Sequence, residues 1–156
     1  MAVSYRLERT QDIPRSREEV FAFFSDAANL ELITPASLHF QILTPLPIEM
    51  RTGAQIDYRL SLSGVPVRWR TRIVSWEPPL RFIDDQERGP YALWRHTHEF
   101  EAIGNGTRMR DTVDYRLPFG PLGSLVHALW VRRTVEGIFD YRRQFIREKF
   151  GVSPVS

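Results

Sequence analysis

His96 and His98 stand one residue apart in Trp94-Arg95-His96-Thr97-His98-Glu99-Phe100, a stretch that alternates strictly between two kinds of residue. A period of two is that of a strand with one face buried. One face carries Trp94, His96, His98 and Phe100, and the other Arg95, Thr97 and Glu99. Met109 to Tyr115 alternates in the same way, setting Met109, Asp111, Val113 and Tyr115 against Arg110, Thr112 and Asp114. Two imidazoles and a carboxylate thus share an inward face with aromatic and aliphatic side chains. A core built only for stability avoids such groups, so this face is expected to border a cavity.

Three chemistries fit that set. Imidazoles two residues apart on a strand have β-carbons about 7 Å apart, and Asp111 or Asp84 could complete a metal site with them. Asp111 and nearby tyrosines could instead satisfy the histidines in a buried network. Alternatively, a His98–Asp111 pair could act as general base and orienting carboxylate. It would abstract a proton beside a carbonyl, as aldol cyclisation or dehydration requires. Tyr58, Tyr115 or Tyr141 would then stabilise the oxyanion. His98 and Asp111 are the catalytic candidates. Neither metal nor cofactor is assigned, because most buried histidines find organic partners.

The elements that must position these groups follow from the same patterning. Gly104-Asn105-Gly106 lies between the two strands, and Asn-Gly is a strong hairpin signal. A two-residue turn at Asn105-Gly106 predicts that 100 pairs with 111, 98 with 113 and 96 with 115. In that register the apolar faces coincide and Asp111 lies diagonally from His98. Val3 to Ile13 reads as a first strand ended by Pro14. Ser16-Arg17-Glu18-Glu19 is a capping-box sequence opening a helix with Val20, Phe21 and Phe24 on its apolar face. A second short helix is expected over Leu30 to Ile33, ending before Pro35.

Strands follow around Phe40–Leu43, Ile56–Leu62, Val67–Trp76 and Leu80–Glu87, with turns at Ser63-Gly64, Glu77-Pro78-Pro79 and Gly89-Pro90. In the last of these strands the register stays open by one. Either Phe82, Asp84 and Gln86 face inward, or Ile83 and Asp85 do. Seven strands with short connections imply an antiparallel meander. Leu125 to Phe150 contains no proline and is expected to form one long helix. Its stripe of Val131, Val135, Ile138, Arg142 and Phe145 covers the sheet, and an adjacent stripe holds His127, Trp130, Thr134 and Tyr141. Gly137, mid-helix, marks either close packing or room for a ligand.

At 156 residues the chain is expected to be one domain, 1–156, large enough for a core without staples. It has no cysteine, which excludes disulfides and thiolate chemistry and suits a reducing compartment. Met1 to Arg6 lacks the apolar segment of a signal peptide, and no run approaches the ~20 apolar residues that span a bilayer. A cytoplasmic protein without membrane insertion is expected, as monomer or homodimer. Of its 21 basic residues only Lys149 is lysine, and the net charge is +2. The arginines alternate with acids or stand singly, unlike the clustered basic surface that nucleic-acid binding needs. Phosphate loops, dinucleotide fingerprints, nucleophile elbows and the His-Glu-x-x-His motif are missing from the sequence.

The order strand, two short helices, six strands and a long helix resembles the helix-grip fold of the SRPBCC superfamily. That group takes in START, polyketide cyclase and birch-pollen-allergen-like domains. Phe82-Ile83-Asp84-Asp85-Gln86, Gly89-Pro90-Tyr91, Trp94 to His98, Asp111 and Tyr115-Arg116-Leu117-Pro118 are similar to a bacterial subgroup also found fused to nucleotide-sugar epimerase-like domains. The resemblance implies an α+β fold, a seven-stranded curved antiparallel sheet wrapped around a long C-terminal helix. It also implies a cavity for a hydrophobic small molecule, rimmed by the short helices and the Pro118–Gly123 loop. It does not by itself imply a reaction.

The expected function is binding of a small, mostly hydrophobic molecule whose polar end is held by His96, His98 and Asp111. Tyr58, Trp69, Asp84, Trp94 and Met109 are expected to line the cavity with them. Tyr115, Trp130 and Tyr141 are expected there as well. Two alternatives stand beside this reading. One is a cyclase/dehydratase using His98 and Asp111, and the other an interaction module regulating a partner such as an epimerase.

Overall fold

The structure, a computed structural model, describes residues 3–152. Met1 and Ala2, part of the stretch read against a signal peptide, lie outside the described residues, as does 153–156 at the end of the expected domain. The seven strands are β1 (Ser4–Ile13), β2 (Gln41–Ile42), β3 (Gln55–Leu62), β4 (Val65–Glu77), β5 (Arg81–Arg88), β6 (Leu93–Ile103) and β7 (Gly106–Arg116). They form one antiparallel sheet in the order β1-β7-β6-β5-β4-β3-β2, so β7 leads back to the first strand and every other neighbour is sequential.

Helix α1 (Arg17–Phe24) begins at the expected cap, where the Ser16 hydroxyl accepts the Glu19 N–H at 3.2 Å. The second expected short helix is instead a pair of 3-10 turns, Ala27–Leu30 and Ala36–Leu38. Asp26 caps the first of them by accepting the Ala28 N–H. The C-terminal helix starts earlier than the sequence predicts. It runs as α2 (Gly120–Val126), a single π-helical turn (His127–Val131) and α3 (Arg132–Phe150).

The hairpin register is a correction. Ile103 pairs with Gly106, Phe100 with Met109, His98 with Asp111 and His96 with Val113, so the turn is Gly104-Asn105 and the pairing is displaced by two residues. A displacement of two preserves the faces, which is why hydrophobic alternation could not detect it. Gly106 is glycine for another reason. A Cβ there would lie 2.2 Å from the Ile13 carbonyl oxygen, so the residue belongs to the strand that meets β1.

Outward arginines pair across strands: Arg6 with Asp114, Arg70 with Asp57, Arg95 with Asp85 and Arg108 with Asp12. Charge is cancelled locally at these pairs, and each exposed pair contributes little to stability. Two apolar clusters lie on the inner face. The larger gathers phenylalanines of α1 and the sheet, including Phe21, Phe24, Phe82 and Phe100, with Ile146 and Phe150 of α3. The smaller holds Val113, Tyr115, Val135 and Phe139. Among the described residues, no helix is long and apolar enough to cross a membrane.

Candidate functional site

Between the two clusters the inner face is polar, and strand alternation puts it there. Phe82 and Asp84 of β5, His96 and His98 of β6 and Asp111 of β7 all point inward, which settles the open register of β5. Asp85 faces out and pairs with Arg95. Beside Asp84 the β4–β5 pairing shifts register between Ile73 and Ser75, a bulge of the kind that re-aims side chains near sites.

The histidine–carboxylate pairs are crossed. Asp84 stands opposite His96, yet its Oδ2 lies 2.7 Å from His98 Nε2. Asp111 stands opposite His98, yet its Oδ1 lies 2.8 Å from His96 Nε2. His98 Nδ1 is 3.4 Å from Asp111 Oδ1, close enough to attract but without hydrogen-bond geometry. The imidazoles stack with centroids 3.6 Å apart, between Phe82 against His98 at 4.0 Å and Phe139 edge-on to His96 at 5.4 Å.

Electrostatics separates the two rings. Burial pushes His96 down to about 4, helped by the charge of its neighbour His98. Burial opposes charge on His98 too, but Asp111 and Asp84 on either side outweigh it and raise its pKa. Burial likewise opposes charge on Asp84 and Asp111, and the imidazoles outweigh it, holding both carboxyls below the usual range. Between about pH 4 and the ordinary histidine value of 6.5 the cluster therefore holds a neutral His96 that donates Nε2–H to Asp111, and a charged His98 that donates Nε2–H to Asp84.

These groups border a cavity of about 140 Å³ between the sheet, the 3-10 turns and α3. Tyr58, Trp69, Asp84, Trp94, His96 and His98 line it. Most of the remaining wall is apolar, including Leu38, Phe40, Ile56, Leu60 and Ile138. Burial raises the Tyr58 phenol, whose hydroxyl lies 3.2 Å from that of Thr71.

Five expected residues lie elsewhere. Asp111 is not in the cavity wall; it bonds His96 and, with Phe139 and Arg142, borders a separate small space beside α3. Met109 is packed in the larger apolar cluster. Tyr115 turns its hydroxyl to His127, with oxygen and Nε2 2.6 Å apart, and packs in the smaller cluster. Trp130 and Tyr141 face outward, 60% and 40% exposed. The π-turn explains Trp130: its extra residue breaks the spacing by which His127, Trp130 and Thr134 would share a stripe. His127 is buried, stacked 3.5 Å from Tyr5, whereas Thr134 lines the cavity. Gly137 fits neither reading: a Cβ there would touch nothing within 4 Å, and the residue is exposed and outside the cavity wall. The Pro118–Gly123 segment, expected at the rim, runs into α2 from Gly120 onward, and none of its residues lines the cavity.

The residue that sequence reasoning undervalued is Arg142. It occupies the sheet-facing stripe of α3 and lines the cavity over Phe139, with the guanidinium carbon 4.8 Å from the ring centre. An arginine on an otherwise apolar helix face was the available signal.

Asp84, His96 and His98 also form a candidate metal-ligand group, with one ligand atom from each within 4.8 Å of the others. Their orientation opposes that use. Stacked rings inclined by 27° with centroids 3.6 Å apart keep their lone pairs in two nearly parallel planes, so that no nearby point lies in both. Both Nε2 atoms also already meet carboxylates. A single ion would need one ring to turn.

Residues 4–147 match the family described as polyketide cyclase/dehydrase and lipid transport. The chain belongs to that family. Solved structures share the polyketide cyclase/dehydrase and lipid transport fold at low identity. A Thermus thermophilus protein is 20% identical with a TM-score of 0.71, covering 94% of this chain and 95% of its own. A START superfamily protein from Mycobacterium smegmatis is 13% identical with a TM-score of 0.67, covering 92% and 97%. A nucleoside-diphosphate sugar epimerase from Corynebacterium glutamicum is 24% identical with a TM-score of 0.66; the match covers 91% of this chain and 28% of that one. No curated protein matches the chain.

Proposed function

We propose that the protein binds a compact, mostly apolar small molecule in this cavity, with its polar end against His96, His98 and Asp84. Asp111 fixes the histidines from behind. The observation that carries this reading is the contrast within one wall. A hydrogen-bonded polar cluster, three of whose four members line the cavity, interrupts a wall otherwise made mostly of aromatic and aliphatic groups, the usual composition of small-molecule sites. Native mass spectrometry of gently purified protein tests it. A co-purifying molecule released on denaturation is expected. Protein that carries nothing, and binds no member of a panel of small aromatic and aliphatic compounds, would refute it.

A second reading is catalysis of the cyclase/dehydratase kind, and the His98–Asp84 contact favours it. His98, charged between two carboxylates, could protonate a departing hydroxyl, which leaves as water once the neighbouring C–H proton has been lost to a base. The acid–base role moves from the expected His98–Asp111 pair to His98 with Asp84. His98→Gln should abolish turnover of β-hydroxy carbonyl compounds while binding survives. Unchanged turnover would remove His98 from the chemistry.

A further inference from the structure

Unpaired buried polar atoms around the cavity are nitrogens, and they point to the kind of molecule it accepts. Arg142 is half-buried as a residue, but its Nε and Nη1 are covered and have no hydrogen-bond partner. Trp69 lines the same cavity with its Nε1–H buried and unpaired. His98 Nδ1 is the other orphan at the site, a donor in the charged ring, and Arg17 Nε lies away on α1. Among the described residues, no buried side-chain oxygen is left without a partner. The site therefore lacks acceptors, not donors.

Arg142 is also not spoken for by the acids nearby. Asp84 and Asp111 are close enough to favour its charge, but they give their short contacts to His98 and His96. A guanidinium held in an apolar helix face, over an aromatic ring and short of acceptors, is built to receive an anion. A neutral acceptor would satisfy its N–H groups, but would forgo the added strength of a charge-assisted contact.

We propose that the cavity is specific for a small amphiphilic carboxylate, with Arg142 receiving the carboxylate and the aromatic wall enclosing a body on the scale of a substituted benzene ring. The Trp69 N–H is available to a second acceptor on the same molecule. This rests on the ligand-binding reading above and adds the chemical class of the ligand.

Cinnamate and its neutral isostere cinnamamide provide the test, titrated calorimetrically into wild type, Arg142→Met and Arg142→Lys. Wild type should bind cinnamate about tenfold or more tighter than cinnamamide. Arg142→Met should lose that preference with cinnamamide affinity little changed, and Arg142→Lys should keep part of it. Cinnamate should also shift the Trp69 indole N–H resonance of the wild type, a reading that needs no variant to fold. Equal wild-type affinity for both compounds, or a preference that survives in Arg142→Met, would overturn the inference and leave the ligand-binding reading standing. Wild type that binds neither compound would overturn the inference as well, while the ligand-binding reading is decided by the native mass spectrometry and compound panel above.

Discussion

His96 and His98 stack face to face with ring centroids 3.6 Å apart, yet the pKa of His98 is raised while that of His96 is lowered to about 4. The asymmetry arises from position. His98 lies between two carboxylates, whereas His96 hydrogen-bonds one and faces Phe139.

Stability should accordingly peak in a narrow range around the ordinary histidine pKa. His98 has a raised folded pKa, so its contribution is complete below 6.5 and is lost as pH rises through the folded value. His96 has its pKa lowered to about 4, so the unfolded chain takes up a proton that the folded protein refuses. Stability then falls as pH drops from 6.5 toward 4. Melting temperatures across pH 4–9 check this. His98→Gln should flatten the alkaline limb and His96→Gln the acid limb.

The crossed hydrogen bonds predict an unequal response to neutralising one acid. Asp84→Asn should lower the His98 pKa more than that of His96, because Asp84 contacts His98 directly. NMR titration of the imidazole nitrogens would show it. A larger shift at His96, the residue directly opposite Asp84, would contradict the crossed arrangement.

Two glycines of one hairpin should differ sharply. Gly106→Ala drives a Cβ into the Ile13 carbonyl and should cost about 1–3 kcal/mol, as overpacking against backbone does. Gly104→Ala meets nothing within 4 Å and should stay within about 0.5 kcal/mol of the wild type. Denaturant midpoints compare them, and the opposite ranking would favour the Asn105-Gly106 turn.

Tyr115→Phe removes the hydroxyl that His127 meets at 2.6 Å and leaves a buried ring nitrogen unpaired. The expected loss is about 1–3 kcal/mol. Hydrogen exchange should quicken most over 127–131, while the cavity wall around His96 stays protected.

Much of this site was legible because strands write their faces at a period of two. His96, His98, Asp84, Trp69, Trp94 and Tyr58 all alternate inward, and even a displaced register kept them there. The partners were less legible. Which carboxylate bonds which imidazole depends on diagonal reach across two hairpins, and that depends on a turn fixed by the distant contact of Gly106 with Ile13. Along the helix the reading failed at Trp130 and Tyr141, and it left Arg142 undervalued. A regular 3.6-residue spacing does not anticipate a π-turn, and an arginine among apolar neighbours reads as a covering side chain until its empty donors are seen.

The turn at His127–Val131 makes the helical half of the cavity a matter of phase. One surplus residue rotates everything after it by about 100° relative to an unbroken helix. Rewinding it to regular α-helix at unchanged length would bring Ile138 and Tyr141 to the bearings now held by Phe139 and Arg142, whereas excising one residue would leave those bearings as they are. Substitution edits this chamber one side chain at a time, but rewinding that coil re-dials its whole ceiling while the floor stays untouched.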